Sequence, residues 1–340
     1  MKKILIVVLV LVIGSSLFAG RYAGDFMAVG AGVRAIGLGG AYTAIADDAS
    51  AIYWNAAGVS QIRDFEFNLM SAFLYNGLAR YELISACVPL PNDVTIGLNI
   101  TGLIIDDIPI YNESHIVGTN VDQRSTDLDW IMDDEEGVGV NDGTFRSADY
   151  LFQFAFAKHL HYDLNMGWLF FELPFDLHFG GNIKYIARDI LENTGNGTGF
   201  DFSVIAKTDL GVLLDLEWLG KISWGLNMQD IGGTVVTWDV QSNHEDEILF
   251  NTKTGVAIFQ PLNFIKSNLI LSADKDYVYK GVSHYGAELN YAETVSLRAG
   301  YYDSNFSTGF GVQIYDYILD YAFVTNTLGS TNRVGIRALF

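Results

Sequence analysis

From residue 65 to the end, the chain repeats short segments in which large apolar side chains alternate with small or polar ones. Tyr150, Phe152, Phe154 and Phe156 alternate with Gln153, Ala155 and Ala157, and Phe306, Thr308, Phe310 and Val312 with Ser307, Gly309 and Gly311. Successive side chains of a strand point to opposite faces, so each segment has one greasy face and one small or polar face. Such segments lie near 65–74, 81–89, 93–105, 147–159, 176–187, 199–207, 221–229, 248–259, 267–276, 283–291, 294–302, 306–315, 317–326 and 331–340. Most have the length of a tilted membrane strand, about 9–11 residues. Pro91-Asn92-Asp93, Ala292-Glu293, Asp303-Ser304-Asn305 and Asp316 supply turn chemistry between them.

A soluble sandwich also alternates, but its exposed face carries Lys, Glu and Thr. Here the weaker face carries Gly, Ser, Asn and Gln, and the other Phe, Tyr, Trp and Leu. Lipid cannot satisfy polar groups and headgroups favour Tyr and Trp, so aromatics outside and small polar residues inside describe a membrane barrel. The fold expected is all-β: a transmembrane antiparallel barrel of about 14 strands. Half of the residues are apolar and 18% charged, yet the longest apolar run, Ile4–Ile13, is well short of the roughly 20 residues of a spanning helix. Preceded by Lys2 and Lys3 and followed by Gly14-Ser15-Ser16-Leu17-Phe18-Ala19, it reads as a secretory signal peptide over 1–19. An exported alternating chain ending on an aromatic, Phe340, belongs in the outer membrane of a Gram-negative-type bacterium. Phe340 is the candidate assembly signal for the insertion machinery, and the expected surroundings are outer-membrane lipid and lipopolysaccharide.

The net charge of −20 argues against nucleic-acid binding. The single cysteine, Cys87, excludes an internal disulfide framework. No catalytic constellation stands out, so no enzyme activity and no cofactor are expected. His115, His159, His161, His178, His244 and His284 show no metal-ligand spacing. His159 and His161 share a strand face but sit at a connection, which reads as a polar rim.

Residues 20–64 break the alternation. Gly30-Ala31-Gly32-Val33-Arg34-Ala35 superficially matches a dinucleotide motif, but no βαβ unit surrounds it. Glycines instead allow close backbone approach where a segment packs on a barrel wall. Asp47-Asp48 before an alanine-rich stretch predict a short helix, closed by Gly58. The stretch GAGVRAIGLGGAYTAIADDASAIYWNAAGVSQI resembles the N-terminal signature of the PorV/PorQ group, within the FadL-like outer-membrane superfamily. Members typically carry Trp-Asn-Pro-Ala-Gly where this chain has Trp54-Asn55-Ala56-Ala57-Gly58. GGNIKYI at 180–186, HYGAELNYAETVSLRAGY at 284–301 and GFGVQIYDYILDYAF at 309–323 extend the similarity. The resemblance implies a fourteen-stranded barrel, 65–340, with 20–64 folded largely into its lumen. Asp47, Asp48, Trp54 and Asn55 are then expected against inward wall residues. Arg298, Arg333 and Arg337 are the candidate partners of the two carboxylates, because buried acids require compensation.

The longest interruption, 106–146, is acidic and falls on the external side by strand counting. Asp127, Asp129, Asp133, Asp134, Glu135 and Glu136 are candidates for partner binding; as clustered carboxylates they also suit a hard divalent cation or a solvated loop. No metal site is assigned. Residues 236–247, with Asp239, Glu245, Asp246 and Glu247, read as a second external acidic loop. Trp168, Leu169, Phe170, Phe171, Leu173 and Phe175 form an apolar cluster at a connection, fitting either a membrane-edge extension or a docking patch.

Two functions survive. The resemblance implies a binding component of type IX-like secretion that receives or shuttles exported proteins through their C-terminal sorting domains. The alternative is a FadL-like channel for hydrophobic small molecules. The expected inward residues, among them Asn182, Lys184, Asn227, Glu288 and Arg298, are polar and of both charge signs, which suits a wall bonded to an inserted segment.

Overall fold

The computed structural model describes residues 24–110, 143–165, 167, 172–240, 244–277 and 282–340. The expected signal peptide over 1–19, the acidic residues Asp127, Asp129, Asp133, Asp134, Glu135 and Glu136, and Trp168, Leu169, Phe170 and Phe171 lie outside them.

The described residues form one antiparallel sheet of 16 strands. They are β1 (Glu66–Leu74), β2 (Ala79–Leu90), β3 (Val94–Pro109), β4 (Thr144–Asn165), β5 (Glu172–Ile190), β6 (Asn193–Asp209), β7 (Lys221–Gln229), β8 (Thr234–Trp238), β9 (Glu245–Ile248), β10 (Asn251–Leu262), β11 (Ser267–Asp276), β12 (Ser283–Tyr291), β13 (Val295–Tyr302), β14 (Asn305–Ile314), β15 (Tyr317–Val324) and β16 (Thr331–Leu339). β1 pairs with β16, and β5 with β6, so β1–β7 and β10–β16 close into a fourteen-stranded barrel. Closure removes the unpaired edges that hydrocarbon cannot satisfy.

The period-two pattern sorts the side chains as expected. Phe152, Phe154 and Phe156 are exposed on the outside of β4, while Leu151, Gln153, Ala155 and Ala157 between them are buried. Leu98, Ile183, Phe200, Val256, Leu297 and Phe310 continue the apolar exterior around the barrel. Tight turns close the strands through paired positive-φ residues, Asn92 with Asp93, Ala292 with Glu293 and Asp303 with Ser304. This conformation matches the twist of flanking antiparallel strands.

Long connections mark the external end of an outer-membrane barrel. The segments after β3 and β7 are the long ones and share one end with the connection between β1 and β2. The opposite, periplasmic end carries the Asn92-Asp93 and Ala292-Glu293 turns and Phe340. There Phe340 and Phe65 exchange two backbone hydrogen bonds at 3.0 and 2.9 Å, and their rings lie 6.0 Å apart.

Two expectations are corrected. Residues 236–247 are not simply a loop: β8 and β9 form a hairpin whose first strand pairs with the outer end of β6, Gly195–Gly197. Asp246 accepts a hydrogen bond from Trp238 Nε1 at 2.8 Å, so part of the acidic cluster is structural. Gly58 does not end the N-terminal helix either. That helix spans only Ala51–Trp54, and Gly58 sits inside the 3₁₀ turn Ala56–Gln61. Asn55 ends the helix by turning to extended backbone, φ −162° and ψ 98°. Gly58 is needed for space, since a Cβ there would lie 1.8 Å from Ala46 O.

Candidate functional site

Residues 24–62 supply much of the buried core, from Phe26 to Ile62. They contain two short helices besides Ala51–Trp54, at Asp25–Ala28 and Val33–Gly37. The inner wall approaches them closely through glycine. A Cβ on Gly300 would lie 2.1 Å from Gly39 N, and one on Gly225 2.2 Å from Thr43 O. Small inward residues in the strands therefore set how near the segment lies.

Two chemistries hold it. On β5 and β7, neutral side chains reach its carbonyls. Asn182 donates to Ile52 O at 3.1 Å, Asn227 to Trp54 O at 2.7 Å and Ser223 to Ala44 O at 2.7 Å. Each satisfies a backbone acceptor that has no water to turn to. From β12 to β16 an ionic network is added to contacts with backbone carbonyls, such as His284 to Gly39 O at 2.7 Å and Ser307 to Gly37 O at 3.3 Å. Asp47 pairs with Arg34 of the same segment, and Arg34 grips Glu288 with Nε at 2.8 Å and Nη2 at 2.9 Å. Glu288 also meets Arg298 at 2.6 Å, Arg298 meets Asp320 at 2.6 Å, and Asp320 meets Arg337 at 3.2 Å. Arg337 then lies 3.6 Å from Asp48. The chain of charges thus runs from Asp47 to Arg34, leaves the segment there, passes through β12, β13, β15 and β16 and returns at Asp48.

The residues singled out from the sequence fall into this arrangement unevenly. Arg337 reaches Asp48, whereas Arg298 bridges two wall carboxylates. Arg333 donates to the backbone carbonyls of Gly30 and Val29, the latter at 2.9 Å. Asn55 Nδ2 donates to Thr43 O at 2.8 Å and its Oδ1 accepts from Ala57 N at 3.2 Å. Trp54 Nε1 donates to Ala31 O at 2.6 Å, and its ring meets Tyr42 and Tyr53 edge-on. Arg34 was not anticipated as the partner of Asp47. It sits in the Gly-rich motif, and a basic residue thirteen before an acid carries no local signal. Burial lowers the pKa of Arg34, but Asp47 and Glu288 overcome this and hold it well above the usual value. Burial raises that of Tyr53, whose hydroxyl donates to Met27 O.

Above the segment, at the external end, lies a cavity of about 250 Å³. Met27, Gly30, Tyr53 and Trp54 form its floor. Leu151, Ile248, Leu249 and Tyr302 give it apolar wall, and Gln153, Gln229 and Asn251 give it neutral polar wall. Ile248 belongs to the β8–β9 hairpin, which therefore completes one side of the mouth. Two lysines line it, and both are compensated. Lys184 meets Asp201 at 2.8 Å and Asp230 at 2.9 Å, and Lys253 meets Asp276 at 2.9 Å while facing the Trp54 ring. With Asp303 also in the lining, acids outnumber lysines.

A buried Ser–His contact is the nearest approach to catalytic geometry among the described residues. Ser60 Oγ lies 2.7 Å from His178 Nδ1, but the hydroxyl donates to Ala57 O at 2.8 Å. The single hydroxyl proton thus has Ala57 O as a second acceptor beside the imidazole.

No protein-family model matches the chain, and no curated protein matches it. Solved structures do. A deltaS2 mutant of the TodX monoaromatic hydrocarbon channel aligns with TM-score 0.50 at 11% identity, covering 91% of this chain and 97% of that one. The Pseudomonas putida toluene transporter TodX aligns with TM-score 0.45 at 10% identity over 91% of this chain and 96% of that one. A Pseudomonas aeruginosa FadL homologue aligns with TM-score 0.43 at 10% identity over 96% and 99%. At such identities the likeness shows the fold alone. Closed sheet, apolar exterior and polar interior make the chain an outer-membrane β-barrel.

Proposed function

We propose that this barrel takes up small, neutral, largely apolar molecules, with single-ring aromatics as the best fit, and receives them in the cavity at its external mouth. The observation that carries this reading is the position of that cavity. It lies at the external end and is floored by the N-terminal segment, so inward passage requires the segment to shift. A cavity of about 150 Å³ accommodates benzene, so 250 Å³ leaves room for a substituted ring. The aromatic edge of Trp54 and Tyr53 favours such a guest. The surplus of acids in the lining disfavours anions, which separates this mouth from one built for fatty carboxylates. The name of the fold-similar TodX barrel, a monoaromatic hydrocarbon channel, supports the same reading.

The secretion role implied by the PorV/PorQ resemblance rests on sequence motifs and is the competing outcome of the test. Leu249 is exposed on the cavity lip and makes a suitable probe. Cells producing Leu249→Trp should take up a labelled monoaromatic more slowly than wild type, with the heat-modifiable folded barrel unchanged. Deleting residues 119–142 should leave that uptake intact. Unchanged uptake in Leu249→Trp, together with lost surface delivery of an exported protein on the deletion, would establish the secretion reading instead.

A further inference from the structure

At the periplasmic end, β4 and β5 outgrow the barrel. The turn between β2 and β3 lies level with Lys158, yet β4 and β5 continue paired as far as Asn165 opposite Glu172. At the base of this extension, where β6 still flanks β5, His159 stands across from His178 and His161 across from Asp176. All four side chains share the inner face. Asp176 Oδ1 accepts from both imidazoles, His159 Nε2 at 2.9 Å and His161 Nδ1 at 2.7 Å. One donor atom from each of His159, His161 and Asp176 lies within 4.8 Å of the other two.

We infer that His159, His161 and Asp176 form a binding site for a divalent transition metal of the zinc class, facing the periplasm. Two imidazoles and one carboxylate are a donor set suited to Zn²⁺, and three protein ligands leave a fourth position for water. On binding, the neutral imidazoles present the lone pairs of His159 Nε2 and His161 Nδ1 to the metal, and each ring keeps its one proton on the other nitrogen, which for His161 is Nε2 beside Asp163. Zinc–ligand bonds of about 2.0–2.2 Å fit within the present spacing after small side-chain adjustments. The surroundings orient the ligands as metal sites require. Asp163 lies 3.4 Å from His161 Nε2, the nitrogen that points away from the site. His178 stacks on the His159 ring, with centroids 4.5 Å apart and planes 14° apart. His161 is half exposed, which gives the ion a path from solvent. Lys207, across from Asp176 on β6, directs its ammonium to Gln61 and the Phe259 ring and leaves the donor atoms clear.

The site is independent of the external cavity and of any transport through it. The test uses the tag-free full barrel in detergent micelles, titrated with zinc chloride against a chromophoric chelator. One Zn²⁺ per chain should bind, and Co²⁺ should give a visible absorption band of low-coordinate geometry. His161→Ala and Asp176→Asn should each weaken binding at least about tenfold while remaining heat-modifiable, and His244→Ala, at the other end, should not. Absence of saturable binding, or binding unmoved in both His161→Ala and Asp176→Asn, would overturn the assignment.

Discussion

The two halves of the inner wall hold the same segment by different means. Strands β5 and β7 offer amides and hydroxyls to backbone carbonyls, one bond at a time. Strands β12 to β16 offer a shared network in which Glu288, Arg298 and Asp320 are almost wholly buried. A neutral hydrogen bond contributes modestly and is lost alone, with a cost set by the acceptor left unpaired. A buried ion network is different. Its net contribution is small because desolvation offsets attraction, but removing one member leaves a charge uncompensated in low dielectric. The ionic half therefore behaves as a latch that is either whole or broken, and the amide half as a set of separable contacts. If the segment moves to pass a ligand, the amide side is the one that can release stepwise.

Breaking the latch should have the largest effect. Arg298→Met removes the link between Glu288 and Asp320 and should cost about 3–5 kcal/mol. The unfolding midpoint in detergent should fall, and protease should reach residues 24–62 sooner. Equal protection in wild type and variant would show that the network does not hold the segment. Next comes the close approach. Gly300→Ala drives a methyl into Gly39 N and should cost roughly 1–3 kcal/mol by overpacking, read as a lowered melting temperature. The amide side should respond less than the latch: Asn227→Ala leaves Trp54 O unpaired for about 1–3 kcal/mol, and its coupling to Arg298→Met in a double-mutant cycle should be within about 0.5 kcal/mol. Strong coupling would mean that the halves act as one unit. The exposed pair Arg80–Asp106 on the outer rim, 2.7 Å apart, marks the floor of the scale. Arg80→Ala should shift stability by less than about 1 kcal/mol.

Much of the barrel was legible because alternation is a local signal. The segments expected at 221–229, 267–276 and 283–291 coincide with β7, β11 and β12. The failures have local causes as well. β6 begins at Asn193 rather than 199 because Asn-Thr-Gly-Asn-Gly-Thr-Gly has no apolar face to alternate. β8 is five residues with adjacent valines, and β9 is mostly acidic, so their hairpin resembled a loop. Both are strands because they pair with each other and β8 pairs with the overhanging end of β6. Propensity within them contributed little.

The site was legible in composition and not in partnership. Polar inward residues of both signs followed from counting faces, and the Gly-rich segment announced close packing. That Arg34 meets Glu288, 254 residues away, or that Asp176 completes a cluster with His159 and His161, had no trace in spacing along the chain.

What the amino-acid sequence determined by itself is therefore the fourteen barrel strands, the lipid-facing side of each and the membrane barrel they must close into, because side-chain direction in a strand has period two whatever its partner. Only the tertiary structure decided which inward side chains meet. Closure and register bring residues hundreds of positions apart into contact, and a slip of one residue in any pairing would turn the same side chains to the opposite face.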